Sequence, residues 1–140
     1  MKKLILRQSI LINPSIVALI LRLVLGIIFF AHGAQKVLGW FEGFGLEGTV
    51  NWMNGTLGIP VFLAYLSCFV EFLGGVFLIV GFLTRIWAVA LVINMLVAML
   101  TAHSGFFNPD GIEFPLAVMT IALASFLIGP GKLSIDKTLE

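Results

Sequence analysis

Charged side chains are scarce in this sequence. Eight Lys/Arg and seven Asp/Glu amount to 11% of 140 residues, where a soluble domain carries about 25%. With 60% hydrophobic residues and a mean hydropathy of +1.13, such a chain cannot cover a water-facing surface. Soluble globular and disordered classes are therefore excluded. The net charge is +1 and no basic run exceeds Lys2-Lys3, so a polybasic grip on nucleic acid is absent. The single cysteine, Cys68, allows neither an intramolecular disulfide nor a two-thiol relay. Period-two alternation is missing too, which removes a membrane β-barrel. What remains is an all-α integral membrane protein, and 140 residues suffice for one domain.

Four apolar stretches supply the spans. Helices are expected over about 15–38, 60–83, 86–103 and 112–129 within a single membrane domain, 1–140. A span needs about 20 mostly apolar residues, so the first two are comfortable and the last two short. Short loops make neighbours antiparallel, giving a four-transmembrane-helix bundle. The connection between the first two helices carries Trp40, Phe41, Phe44 and Trp52 among glycines, which suits the membrane–water interface; a short helix over about 46–54 is expected there. Lys2, Lys3, Arg7, Arg85, Lys132 and Lys137 fall on one side, and Glu42, Glu47, Asp110 and Glu113 on the other. By the positive-inside rule both termini are cytoplasmic. The first stretch is too long for a cleaved signal peptide, contains Arg22 and has no A-x-A exit, so a retained span is expected.

Ionisable groups inside spans are costly, and each is by default a functional candidate. Arg22 lies near the inner end of the first helix, and His32, Gln35 and Lys36 near its outer end. At 100° per residue Arg22, Gly26, Phe29, His32, Gly33 and Lys36 share a stripe about 120° wide, facing the bundle. Glu71 lies about 16 Å along the second helix, near the bilayer centre. Ser67, Gly74 and Gly75 share its face, allowing close helix approach. A carboxylate there must be paired or protonated. Arg22 is the expected cation and Lys36 the competing one; an Arg22–Glu71 pair would equally serve as a structural ion pair that fixes helix register. The third helix aligns Asn94, Ala98 and Thr101, with His103 at its end, and the fourth aligns Glu113, Ala117, Thr120 and Ala124. His32, Lys36, His103 and Glu113 are expected to gather at the outer mouth of a cavity floored by Glu71.

The stretches LRLVLGIIFFAHGAQKVLGW, EGTVNWMNGTLGIP and VEFLGGVFLIVGFLTR resemble the DoxX family of small bacterial membrane proteins. The resemblance covers nearly the whole chain. It rests on an early Arg, a His-Gly with Lys three residues after the Gly, a loop ending Leu-Gly-Ile-Pro, and Glu-x-x-Gly-Gly. On this sequence the family's positions are Arg22, Gly26, His32, Gly33, Lys36, Glu71, Gly74, Gly75 and Gly81. The family implies four transmembrane helices, a multi-pass place in the bacterial plasma membrane, and a quinone-linked oxidoreductase component. Its members include a subunit of a thiosulfate:quinone oxidoreductase, and others are associated with complexes that handle thiols or oxidative stress.

The expected site follows from both lines of reasoning. Glu71, His32, Lys36 and Arg22 are the expected chemical residues, with Phe29, Gly33, His103 and Glu113 as cofactor contacts. A quinone is the expected cofactor, needing an apolar slot and a few polar donors. Haem or a metal on His32 and His103 is the lesser alternative, because neither lies in a ligand motif such as HExxH; no metal site is assigned. Gly43-Phe44-Gly45 does not open a nucleotide-binding pattern, so electrons would come from a soluble or membrane redox partner. The alternative reading is a non-catalytic anchor or scaffold in the lipid bilayer that recruits soluble redox or stress-response partners or assembles as a homo-oligomer.

Overall fold

The computed structural model describes residues 13–140. Lys2, Lys3 and Arg7, on which the orientation partly rests, lie outside the described residues. Six helices follow in order: α1 (Pro14–Leu38), α2 (Gly45–Leu57), α3 (Val61–Val80), α4 (Thr84–Thr101), α5 (Glu113–Ile128) and α6 (Ile135–Leu139). There is no strand among the described residues. α1, α3 and α4 are long and apolar enough to cross a membrane. α5 is apolar but has 16 residues, about 24 Å against a hydrocarbon core of about 30 Å. Together they form a helical membrane bundle, with α2 lying across the α1–α3 connection.

α1 begins where Asn13 accepts the Ser15 N–H through its side chain and Pro14 occupies the first turn. It ends at Gly39, whose φ of 71° is left-handed. Ile16, Ile20, Val24 and Ile27 form its exposed, lipid-facing stripe. Ala18, Arg22, Leu25, Gly26, Phe29 and Gly33 face inward. Phe29 and Leu25 join Leu78, Leu91, Met95, Val118 and Ala122 in the main core, where α1, α3, α4 and α5 meet.

The α1–α3 crossing is closer than any side chain would permit. A Cβ on Gly33 would be driven into the backbone of Phe72, one on Gly75 into the backbone of Phe30, and one on Gly26 against the Gly75 carbonyl and Ile79. These three contacts define an antiparallel register: 33 faces 72, 30 faces 75, and 26 faces 79. The small-residue stripe read from sequence is therefore the packing seam between α1 and α3.

α3 ends at Val80 rather than near residue 83 because Gly81 turns left-handed, with φ 73°. Leu83 follows with φ 51°, and α4 starts at Thr84 without a cap of its own. The cap comes from the far end of the chain. Asp136 accepts the Leu83 and Thr84 N–H groups at 2.6 and 2.9 Å, and its own N–H donates to the Gly81 carbonyl. The C-terminal segment thus closes the inner end of the bundle.

Gly33→Ala and Gly75→Ala should each lower stability by about 1–3 kcal/mol, because neither backbone neighbour can retreat. Gly55→Ala, where an added Cβ meets nothing within 4 Å, should cost nothing. Thermal unfolding of the detergent-solubilised variants measures the difference.

Candidate functional site

The register of the seam decides which cation reaches Glu71. Lys36, one turn beyond Gly33, comes level with Glu71, one residue before Phe72. Its Nζ lies 2.5 Å from Glu71 Oε1. Asn94 on α4 adds a second donor, Nδ2 to the same oxygen at 2.8 Å, and Ser67 fixes the amide by donating to Asn94 Oδ1 at 2.7 Å. Helices α1, α3 and α4 are thereby joined through one carboxylate. Glu71's side chain is 3% exposed and Lys36's 30%. The hydrogen bonds from Lys36 and Asn94 both fall on Oε1.

This network is the polar end of a cavity of about 670 Å³. α3 contributes Leu63, Leu66, Ser67 and Val70 to its lining, and α4 contributes Ala90, Ile93, Asn94, Val97 and Thr101. Thr49, Trp52 and Met53 of α2, with the turn from Leu57 to Pro60 that leads into α3, cover its outer end. His103 stands at that same outer end. Its Nδ1 lies 3.0 Å from the Ala98 carbonyl; a carbonyl only accepts, so Nδ1 is the donor of this contact.

Of the residues expected at the site, Glu71, Lys36 and His103 meet in this cavity and the rest do not. Arg22 is not the partner of Glu71. Fourteen residues separate Arg22 from Lys36 along α1, about 21 Å, and the register places Arg22 beside Gly81. It is buried there, donating from Nη2 to the Leu133 carbonyl at 2.5 Å, with Nε and Nη1 unpartnered among the described residues. Phe29 lies in the bundle core, and Gly33 in the α1–α3 seam. His32 is exposed, its ring 5.4 Å from that of Phe114. Glu113 accepts the Phe107 N–H at the start of α5. Neither His32 nor Glu113 lines the cavity, because both point toward the α5 side of the bundle while the cavity lies between α3 and α4. Among the described residues no group of three or more His, Cys, Asp or Glu is placed to hold a metal.

Asn94, Ser67 and Trp52 were legible only as polar or aromatic face residues. The i, i+4 spacing of Ser67 and Glu71 was a usable signal; the Asn94 contact, across helices, left none in the sequence.

The fold and the cavity define a multi-pass helical membrane protein with a buried ion pair near its outer half. Residues 17–104 match the model of the DoxX family, more than half of the chain, and the protein belongs to that family. It is similar to a Bacillus subtilis (strain 168) protein named "Putative oxidoreductase CatD", 35% identical over 120 residues that cover 84% of this chain and 83% of the relative. It is also similar to "Inner membrane protein YqjF" of Escherichia coli (strain K12), 30% identical over 127 residues covering 87% and 91% of the two chains. No solved structure matches significantly. Family, relatives and apolar helices together make this a multi-pass protein of the bacterial plasma membrane.

A double-substitution cycle tests the pairing. Lys36→Met and Glu71→Gln should couple by about 0.5–3 kcal/mol in unfolding free energy, as contacting residues do. Arg22→Met and Glu71→Gln should be additive. Coupling of Arg22 with Glu71, and none with Lys36, would contradict the register.

Proposed function

We propose that this protein is a quinone-binding subunit of a membrane oxidoreductase, with the α2–α3–α4 cavity as the quinone site. The observation that carries the reading is a cavity of about 670 Å³, apolar along its walls and ending on a hydrogen-bonding ion pair. A volume of about 300–1,000 Å³ with few convergent polar groups is what a small cofactor needs. The relative named as an oxidoreductase supports the same class of activity.

When bound, a quinone supplies a carrier of two electrons and two protons inside the bilayer. The chain's own residues supply the rest. Lys36 keeps N–H groups beyond the one given to Glu71, and being the more exposed member of the pair it donates to a carbonyl oxygen. Glu71 Oε2 is the proton-accepting oxygen, and Asn94 and Ser67 hold that carboxylate in one rotamer. Nε2 of His103 exchanges protons between cavity and outer water. Trp52 and Met53 shield the site from that water. Electrons pass to or from a partner subunit, consistent with a chain that has one cysteine and no nucleotide-binding glycine motif.

Trp52 lines the cavity and reports on it. In a Trp40→Phe/Trp87→Phe background reconstituted in lipid nanodiscs, a decyl-substituted benzoquinone should quench Trp52 fluorescence saturably. Lys36→Met should weaken that binding by about tenfold or more, since its ammonium is the donor to the quinone carbonyl and a hydrogen bond to a charged group is worth about 1.5–3 kcal/mol. Non-saturable quenching that is indifferent to Lys36 would mean the quinone merely dissolves in the lipid, and would favour a non-catalytic anchor.

A further inference from the structure

The cavity lies at the edge of the bundle, and its position identifies how a ligand arrives. Every helical lining residue comes from α2, α3 or α4 except Lys36, and α5 contributes none. The wall residues are at the same time part of the lipid-facing surface: Leu63 and Leu66 are each 48% exposed, Ile93 57% and Val97 42%. On the outer water side, Trp52, Met53 and the turn from Leu57 to Pro60 stand over the cavity. The inner end is closed. There Phe77 stacks on Trp87 with ring centroids 5.2 Å apart, and a Cβ on Gly74 would already touch Trp87 and Leu91. α3 and α4 are therefore held together at their inner ends and stand apart toward their outer ends.

Charge narrows the occupant. At the base of the cavity the charged side chains are Lys36 and Glu71, 2.5 Å apart and engaged with each other; His103 stands at the outer end. An anionic phospholipid headgroup would find Lys36 already engaged by Glu71 and would carry its charge into an apolar slot, a costly transfer. A neutral ring with hydrogen-bonding oxygens meets no such penalty.

We propose that the cavity is loaded sideways from the hydrocarbon of the outer leaflet, through the cleft between α3 and α4, and accepts an uncharged ring carrying a long apolar tail that stays in the cleft. The side is outer by the positive-inside bias. The inference rests on the quinone reading above and deepens it: it fixes the ligand as a tailed, membrane-dissolved quinone rather than a water-soluble one. The ring occupies the Lys36–Glu71 end, and the tail runs past Leu66 and Ile93 into the bilayer.

The test compares two probes in the same nanodiscs through Trp52 fluorescence, at equal mole fraction in the membrane. One is decyl-substituted benzoquinone and the other its methyl-substituted analogue. The decyl compound should bind about tenfold or more tightly, because its tail fills the cleft and supplies the dispersion contacts that the unfilled walls lack; a tail lying outside the cleft would add nothing at equal mole fraction. Leu66→Phe and Ile93→Phe, which add bulk within the cleft, should each weaken decyl binding by a similar factor. Leu116→Phe, on the lipid-facing side of α5, should leave it unchanged and controls for folding, with circular dichroism and gel filtration of each variant. Equal affinity of the two probes, untouched by the cleft variants but still sensitive to Lys36→Met, would overturn lateral entry and leave the quinone site standing. Absence of saturable quenching by either probe would overturn both.

Discussion

A carboxylate near the middle of a bilayer exists as an anion only where a cation and further donors reach it, and the architecture of this protein is organised around that requirement at Glu71. Its charge is met by Lys36 from α1 and its geometry by Asn94 from α4. Neither contact is local in sequence. The first depends on α1 and α3 approaching until backbone touches backbone, which only glycine at positions 26, 33 and 75 permits. Attraction between unit charges rises steeply as the surrounding dielectric falls, yet removing either partner alone strands the other charge in an apolar setting. The glycine seam and the ion pair are thus one structural device: the seam sets the distance, and the ion pair penalises any slip of register.

The two cations of α1 illustrate how strictly that register acts. Both lie on the bundle-facing stripe, and composition alone does not distinguish them as partners for Glu71. Separated by about 21 Å along the helix, they serve opposite ends. Lys36 neutralises the buried acid, while Arg22 donates to the Leu133 carbonyl, beside the segment whose Asp136 caps α4. That capping lets the α3–α4 connection be only three residues long despite the left-handed Leu83. A tight inner turn, together with the Phe77–Trp87 stack, pins the inner ends of α3 and α4, and the cavity opens where the pinning stops.

Much of this was legible beforehand, for identifiable reasons. Hydropathy and the absence of alternation establish a helical membrane bundle, because lipid leaves the backbone no other way to satisfy its hydrogen bonds than helices or a closed barrel. Glu71 stands out because an acid at that depth has no bland explanation as a solvated residue. The misplacements share one cause. His32, Glu113 and Phe29 were assigned by face and depth on single helices, and those coordinates do not say which neighbour a face meets. His32 is near enough to the outer end, but it faces Phe114 of α5, not the α3–α4 gap. Asn94 could have been weighted more heavily, since an amide in a span must find a partner, but its contact with Glu71 joins positions 23 residues apart and leaves no periodic trace.

The same geometry explains why the cavity and the packing seam lie on opposite flanks of α3. Toward α1 the helix presents Gly75 and the backbone at Phe72, and the gap closes completely. Toward α4 it presents Leu63, Leu66, Ser67 and Val70, which line the cavity, while α2 is laid across the outer end by its own packing of Val50 and Met53 against Ile59, Ala64 and Cys68. Space left between two apolar helices would ordinarily collapse, because voids forfeit dispersion contacts. Here collapse is opposed by the network at the base: moving α4 inward would break the Asn94 hydrogen bonds to both Glu71 and Ser67 in a medium with no water to replace them. A fixed polar base beneath unfilled apolar walls is the arrangement expected of a site shaped for an amphipathic ligand.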